Sequence, residues 1–240
     1  MKICASVADL DPGLLGSLPL ACVEARPEGE WHLYERSGRL ELHAPEWRPR
    51  DSGCWLDLDE VTRRLGARSE LLRACLGRAA GGATTVLDPF AGWGVDALCL
   101  AARGATVRCT EREPAMVALL RDALRRGPPA WRERVQVDWA EASSALADPA
   151  PVDLVYLDPM FPPRRKGALP NKRLQWLARL GDLSHPTGDA DTELADWLRL
   201  ARRRATDRVV VKRRRRDPVL ATPEWRILGT AVRYDIYRPL

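Results

Sequence analysis

The chain lacks every arrangement that would mark a metal centre or a disulfide scaffold. Its six cysteines (Cys4, Cys22, Cys54, Cys75, Cys99 and Cys109) contain no C-x-x-C pair, and its three histidines lie far apart. Neither a zinc site nor a disulfide framework is signalled, so no metal and buried free thiols are expected. No apolar run approaches the ~18 residues needed to span a bilayer, so no membrane partner is expected. With Asp9 and Asp11 so early, the N-terminus lacks the long apolar core of a signal peptide, and a cytoplasmic location is the default. What is present is a globular composition: 45% hydrophobic and 30% charged residues over 240 positions, enough for one full α/β domain plus an appendage. Charge is unevenly placed, since residues 1–80 sum to −2 and the remainder to +7. The basic excess fits an acidic partner such as nucleic acid, although an arginine-rich composition alone produces a similar total.

One stretch organises the rest. Val86-Leu87-Asp88-Pro89-Phe90-Ala91-Gly92-Trp93-Gly94-Val95-Asp96 reads as a buried strand, a glycine turn and a helix start. Gly92 and Gly94 let the backbone approach a ligand that any Cβ would push away. Ala97, Leu98, Leu100 and Ala101 carry helix periodicity to Gly104, and Ala105 to Thr110 forms a second strand with Glu111 at its carboxyl end. Two cofactors compete for this unit. Gly92, Gly94 and Ala97 satisfy the G-x-G-x-x-A dinucleotide fingerprint, and Glu111 lies near the ~20-residue spacing of a ribose-binding acid. A dinucleotide, however, needs its pyrophosphate at the helix N-terminus, where Asp88 and Asp96 place negative charge. S-adenosylmethionine has no phosphate and carries an ammonium and a sulfonium, so the same acids favour it.

Before this unit the chain looks β-rich. Lys2 to Val7 reads as a strand, Trp31 to Tyr34 faces Leu40 to Leu42 across Ser37-Gly38 as a hairpin, and Cys54 to Leu58 suggests another strand. Ser69 to Leu76 reads as a short helix, and Ala80 to Ala83 as a joint. After the unit, Glu113-Pro114 opens a helix with Met116, Val117, Leu120, Ala123 and Leu124 on its buried stripe, ended by Gly127-Pro128-Pro129. Arg134 to Val137 is a third strand, followed by a turn whose Glu141 either accepts from an adenine amine or is a solvated acid. Val152 to Leu157 is a fourth strand running into Asp158-Pro159-Met160-Phe161-Pro162-Pro163.

That corner suits an aromatic amine. The lone pair of an exocyclic base amine is delocalised into the ring, which makes it a poor nucleophile. Asp158 and the Pro159 carbonyl can accept its two hydrogens and aim the lone pair at an electrophilic methyl, while Phe161 stacks on the base. Either Asp158 or water takes the released proton. The plain alternative is a strand-ending turn with Phe161 in the core.

Tyr156-Leu157-Asp158-Pro159-Met160-Phe161-Pro162 resembles the Y-L-D-P-M-F-P signature of the bacterial 16S ribosomal RNA guanine-N2 methyltransferases, whose family target is guanine 1516. The similarity extends through Asp88 to Asp96, Glu111-Arg112, Val209 to Arg213 and Tyr234 to Tyr237, and covers nearly the whole chain. It implies a Rossmann-like class I fold: a seven-stranded, mostly parallel sheet with helices on both faces. It also implies S-adenosyl-L-methionine as cofactor and small-subunit ribosomal RNA, or the assembled 30S particle, as partner. The family's cofactor contacts fall on Val95, Asp96, Glu111, Arg112 and Asp158, and its Ser-Ser pair falls on Glu141 and Ala142 or, with a shift of two, on Ser143 and Ser144. Together with Asp88, Gly92 and Gly94 these make the expected cofactor site. The family's basic, glycine-rich segment is altered here to Thr62-Arg63-Arg64-Leu65-Gly66-Ala67-Arg68-Ser69.

Further on, Arg164, Arg165 and Lys166, with Lys172-Arg173, read as a basic loop beside the base site. Asp191 or Thr192 caps a helix with Leu194, Trp197, Leu198 and Ala201 inward and Arg199, Arg202, Arg203 and Arg204 largely outward. Arg208 to Val211 is a fifth strand delivering Lys212 to Arg216 to the cofactor edge, with Lys212 and Arg213 as expected RNA contacts. Trp225 to Leu228 and Val232 to Tyr237 close the sheet as an antiparallel pair. The expected organisation is a small α+β segment over residues 1–80 and a methyltransferase domain over residues 81–240, with Asp158, Pro159 and Phe161 at the reacting amine. Methylation of adenine N6 or cytosine N4, and a non-catalytic ribosome-assembly role, are the alternatives.

Overall fold

Strand signals on either side of the glycine turn close into two separate sheets. The computed structural model of the chain describes residues 4–6, 12–23, 29–46, 48, 51–66, 69–77, 84–159, 172–184 and 190–240. The first sheet contains β1 (Cys4–Ser6), β2 (Ala21–Val23), β3 (His32–Arg36) and β4 (Arg39–His43), with α1 (Pro12–Leu15) between β1 and β2. Its order is β2-β1-β3-β4, parallel except for the β3–β4 hairpin. Ser37 and Gly38 turn that hairpin with φ of 53° and 76°, the two positive values a right-twisted two-residue turn requires. The strand expected at Cys54 to Leu58 is reduced to one bridge between Cys54 and Leu42. Asp57 instead accepts the Asp59 N–H at 3.1 Å and caps α2 (Leu58–Arg64). Ser69 likewise caps α3 (Glu70–Cys75). The expected joint at Ala80 to Ala83 lies outside the described residues.

The second sheet follows in order: β5 (Thr85–Asp88), α4 (Val95–Ala101), β6 (Thr106–Glu111), α5 (Pro114–Arg126), α6 (Pro129–Arg134), β7 (Val135–Trp139), α7 (Ala142–Ala147), β8 (Val152–Leu157), α8 (Lys172–Ser184), α9 (Ala190–Arg204), β9 (Ala205–Arg214), β10 (Trp225–Leu228) and β11 (Val232–Tyr237). Strand order is β10-β11-β9-β8-β5-β6-β7, with β11 antiparallel to both neighbours and the rest parallel. The chain runs outward from β5 through β6 and β7, then returns on the other side through β8 and β9. The order reverses between β5 and β8, and ligands of open α/β sheets bind above the carboxyl ends of the strands at such a point.

Strand parity divides the core in two. Val86, Tyr156 and Val210 pack with Leu98, Met116 and Leu120 of α4 and α5. Leu87, Val155, Leu157, Val209 and Val211 pack with Leu146, Leu194 and Leu198 of α7 and α9 on the other face. The first cluster continues through Trp176 of α8, Val61 of α2 and Leu33 and Leu42 of the small sheet. The N-terminal segment is therefore welded to the face that carries α4.

Several expectations need correction. Gly127 ends α5 as expected, but Pro129 then starts α6, a short helix not expected from the sequence, since proline suits a first turn. Lys172 and Arg173 open α8 instead of lying in a loop. Arg204 is buried rather than outward, with its Nε donating to the Ala150 carbonyl at 3.0 Å and its guanidinium 3.4 Å from Asp148. Cys22 is exposed, whereas Cys54, Cys75, Cys99 and Cys109 are buried. Among the described residues no helix is long and apolar enough to cross a membrane.

Asp122 of α5 pins the two sheets together. It is fully buried and accepts the Leu40 N–H at 3.1 Å, Arg125 at 2.7 Å and Arg126 at 2.8 Å, while the two arginines also donate to the Gly38 and Leu56 carbonyls. Asp122→Ala strands a buried strand N–H and frees both arginines. It is expected to cost about 2–4 kcal/mol, read as a lowered urea midpoint, with a change under about 0.5 kcal/mol counting against the pin.

Candidate active site

The glycine turn is built by hydrogen bonds that only its own conformation permits. Asp88 ends β5 and accepts the Phe90 N–H at 3.1 Å, and the Ala91 N–H reaches the Thr110 carbonyl of β6 at 3.1 Å. Gly92 and Gly94 have φ of 51° and 72°, and a Cβ on Gly94 would lie 2.3 Å from the Leu120 side chain of α5. Both residues hold the left-handed conformation that glycine adopts without strain, and a side chain at 94 would also have to displace Leu120. Glu111, at the end of β6, clamps it: one carboxylate oxygen accepts the Gly92 N–H and the other the Glu113 N–H, both at 2.8 Å. Burial outweighs these bonds and raises the Glu111 pKa.

The second corner meets the first through one lysine. Nζ of Lys212 lies 2.7 Å from Asp96, in the first turn of α4, and 2.7 Å from Asp158, just beyond β8. Asp96 also accepts the Tyr156 hydroxyl at 2.7 Å and Arg64 of α2 at 3.0 Å. Arg64 continues to Glu60, which pairs with Arg173 of α8, and the Arg173 guanidinium lies over the Trp93 ring within the glycine turn. A chain of alternating charges thus runs from α8 through α2 to both carboxylates. Burial pushes Asp96 up, but the Lys212 ammonium, then Arg64 and the Tyr156 hydroxyl, outweigh it and hold Asp96 at about 2. Asp158 goes the other way. Desolvation raises it, and Lys212's opposing pull is partly offset by the charge of Asp96. Burial also opposes the charge on Lys212, yet the two carboxylates outweigh it and raise the ammonium well above its ordinary value. Asp88, fully buried nearby, is pushed well up, by burial first and then by Asp158 and Asp96.

The structure gathers Asp88, Gly92, Gly94, Val95, Asp96, Glu111 and Asp158 at the carboxyl edge of β5, β6 and β8, with Pro159 buried beside Asp158. Arg112 is exposed beyond Glu111, and its carbonyl accepts the Trp139 indole N–H at 2.8 Å. Glu141 is the exposed N-cap residue of α7 and Ala142 its buried first residue, while Ser143 and Ser144 are exposed. Phe161, Arg164, Arg165 and Lys166 lie outside the described residues. The two residues of the basic run expected to contact RNA both have partners within the chain. Lys212 is spent on Asp96 and Asp158, and Arg213 is 2% exposed on the opposite side of β9, donating to the Pro218 carbonyl. Strand alternation sends these adjacent residues to opposite faces, Lys212 half-buried among the acids and Arg213 buried. Nothing in the local sequence marks Arg64 and Tyr156 as partners of Asp96. A signal for Lys212 exists, because pairing β8 with β9 as Leu157↔Val211 sets Lys212 abreast of Asp158.

These residues fit S-adenosylmethionine. Three acidic side chains (Asp88, Asp96 and Asp158) flank the glycine turn where a pyrophosphate would have to lie, and the two cations there, Arg64 and Lys212, are already paired with Asp96 and Asp158. A ligand carrying positive charge is the complement. Among the described residues no group of three or more His, Cys, Asp or Glu side chains is arranged to hold a metal.

Comparison with known proteins agrees. A family model described as "Putative SAM-dependent methyltransferase" matches residues 27–239. Ribosomal RNA small subunit methyltransferase J of Alcanivorax borkumensis is 42% identical over 172 residues, 71% of this chain and 67% of its own. The protein of the same name from Serratia proteamaculans is 38% identical with both chains covered in full. This chain belongs to the small subunit methyltransferase J family of SAM-dependent methyltransferases. For the fold, a crystal structure of a SAM-dependent methyltransferase from Neisseria gonorrhoeae superposes with a TM-score of 0.75 at 25% identity, over 100% of this chain and 96% of that one. Family membership bears out the resemblance carried by Tyr156 to Pro162, and the order of the large sheet bears out the seven-stranded class I expectation.

Asp96 has a folded-state pKa of about 2, below its ordinary 3.8. Its ionisation therefore stabilises the fold fully above about pH 4, and this contribution is lost as pH falls toward 2. Urea unfolding between about pH 6 and pH 2 is expected to show the gap between wild type and Asp96→Asn widest at the upper end and closing at the lower. A gap independent of pH would remove the ionic role.

Proposed function

We propose that this methyltransferase acts on the exocyclic N2 amine of a guanine in small-subunit ribosomal RNA, as RNA or within the assembled 30S particle, in the cytoplasm. One observation carries the reading: a single ammonium at 2.7 Å from both Asp96 and Asp158 makes the donor corner and the amine corner neighbours, bridged by one nitrogen atom. Methyl transfer needs the reacting atoms in contact and aligned, so two such corners must be neighbours.

S-adenosylmethionine, when bound, supplies an electrophilic methyl group on a sulfonium. The chain does the rest. Glu111, fixed at the end of β6, is the acid expected at the ribose, and the acidic surround of the glycine turn favours the donor's positive charge. Lys212 holds one oxygen of Asp158, leaving the other to accept an amine hydrogen, and the Pro159 carbonyl takes the second. Both acceptors draw density onto the nitrogen and fix its lone pair toward the methyl. The raised pKa of Asp158 also suits it to receive the proton released after transfer. In a duplex, guanine N2 faces the minor groove, so the base must be unpaired or flipped to reach Asp158.

Nucleoside mass spectrometry of ribosomal RNA from cells with and without the gene is expected to show loss of one N2-methylguanosine, restored by wild type but not by Asp158→Ala. Restoration by Asp158→Ala, or loss of a methylated adenine or cytosine instead, overturns the reading. Removing Lys212 takes away the cation that opposes protonation of Asp158. The acid limb of kcat against pH is therefore expected to move upward by ~1–3 units in Lys212→Met and by less in Lys212→Arg. An unmoved limb excludes Lys212 as the group that sets the Asp158 charge.

A further inference from the structure

Beyond the half-buried Lys212 and the buried Arg213, the basic run opens into a cleft of about 810 Å³ lined by Arg214, Arg215, Arg216, Thr230, Ala231 and Val232. It lies at the carboxyl edge of the large sheet, because β11 runs back against β9 and pairs Val232 with Arg214. The Arg215 N–H extends that ladder to the Ala231 carbonyl at 3.1 Å, and the Arg215 guanidinium donates to the Gly229 carbonyl at 3.3 Å. Arg215 and Arg216 are exposed.

This basic turn is braced from inside. Arg233, 3% exposed, donates to the carbonyls of Arg214 at 3.0 Å, Arg215 at 3.1 Å, Asp217 at 2.6 Å and Pro218 at 3.1 Å, and its Nε bonds Asp235. A buried guanidinium that gathers four carbonyls draws their negative ends inward. The cleft is left with three cationic side chains and backbone whose shape is set before any ligand arrives, the condition under which anion binding costs least ordering. Asp217 is the one acid between Lys212 and Pro218.

The cleft also lies at a defined distance from the chemistry. Lys212 and Arg214 share a face of β9, and two residues of strand span ~7 Å. A phosphate in the cleft is therefore within reach of a nucleotide whose base lies at Asp158.

Resting on the reading of the substrate as RNA, we propose that the cleft formed by Arg214, Arg215 and Arg216 against the Gly229–Ala231 turn is a phosphate site. It grips the RNA backbone one or two nucleotides from the guanine held at Asp158. Guanidinium forks bind phosphate oxygens bidentately, so the cleft contributes affinity and register without reading sequence.

The test uses the full chain, a small-subunit ribosomal RNA fragment containing the target, and the variants Arg216→Glu and Arg215→Glu/Arg216→Glu. For both variants kcat/KM for RNA is expected to fall ~10-fold or more, and the slope of log Kd against log salt to drop by about 0.7 for each phosphate no longer neutralised. Affinity for S-adenosylmethionine should stay within about two-fold, since Asp96 and Glu111 are untouched. Arg216→Glu alters only an exposed side chain, so it keeps the test valid if the double variant folds poorly. Unchanged kcat/KM and salt slope in Arg216→Glu, with wild type active on the RNA, overturn the phosphate site alone. Wild type that methylates no RNA overturns the substrate reading on which the site rests.

Discussion

One ammonium between two carboxylates governs this site. Lys212, Asp96 and Asp158 come from three elements that chain order keeps far apart, and they meet because β8 and β9 pair in parallel while α4 starts above β5. Removing charge from water is costly, and such a cluster persists only when every member is paired in good geometry. Here the pairing is supplied by Tyr156, Arg64 and the lysine itself. The same cluster has a chemical consequence. Two acids sharing one cation do not ionise alike: Asp96, with more partners, is held low, and Asp158 is raised. The better-paired acid anchors the start of α4, and the less satisfied one stands at the end of β8.

The N-terminal segment enters the site through that cluster. Arg64 is the second arginine of the Arg63-Arg64 pair in the altered 62–69 segment, and in the fold this exposed side chain reaches back to bond Asp96. Glu60 and Arg173 extend the chain of pairs to α8 and the Trp93 ring, so α2, α4 and α8 are tied at the carboxyl edge of the large sheet. Below this edge the apolar cluster runs unbroken from Leu33 through Val61 to Leu98. A shift of the small sheet would be felt at the donor corner through Arg64, and Asp122 opposes such a shift from the other end of the contact.

The large sheet is legible in the sequence because strands buried on both faces leave continuous apolar runs, and β8 spans Val152 to Leu157 as its residues imply. The glycine turn is legible from residue types whose backbone demands are narrow. The helices α6 and α7, six residues each, escape because so short a segment shows no periodicity of its own, and tertiary packing of Trp131, Ala145 and Leu146 holds them instead. Cys54 to Leu58 looks strand-like by its alternation, but the Asp57 cap, a local hydrogen bond, outweighs it. At the site, the identity of the acids is readable and their partners are not, since partners depend on register between strands far apart in sequence.

The basic run shows why composition alone misplaces function. Five consecutive cations, Lys212 to Arg216, look like one electropositive patch, yet the strand deals them to different surroundings. Lys212 faces the acids, where a compact point charge can sit equally between two carboxylates. Arg213 is turned to the opposite face and helps hold the Pro218 carbonyl. Only after β9 ends at Arg214 does alternation release its hold, and the next two arginines reach solvent together. The division follows from where the strand stops. Two more residues of β9 would carry the alternation through Arg216 and send Arg215 and Arg216 to opposite faces, so a pair of outward arginines beside Asp158 requires the turn that Arg233 braces from beneath.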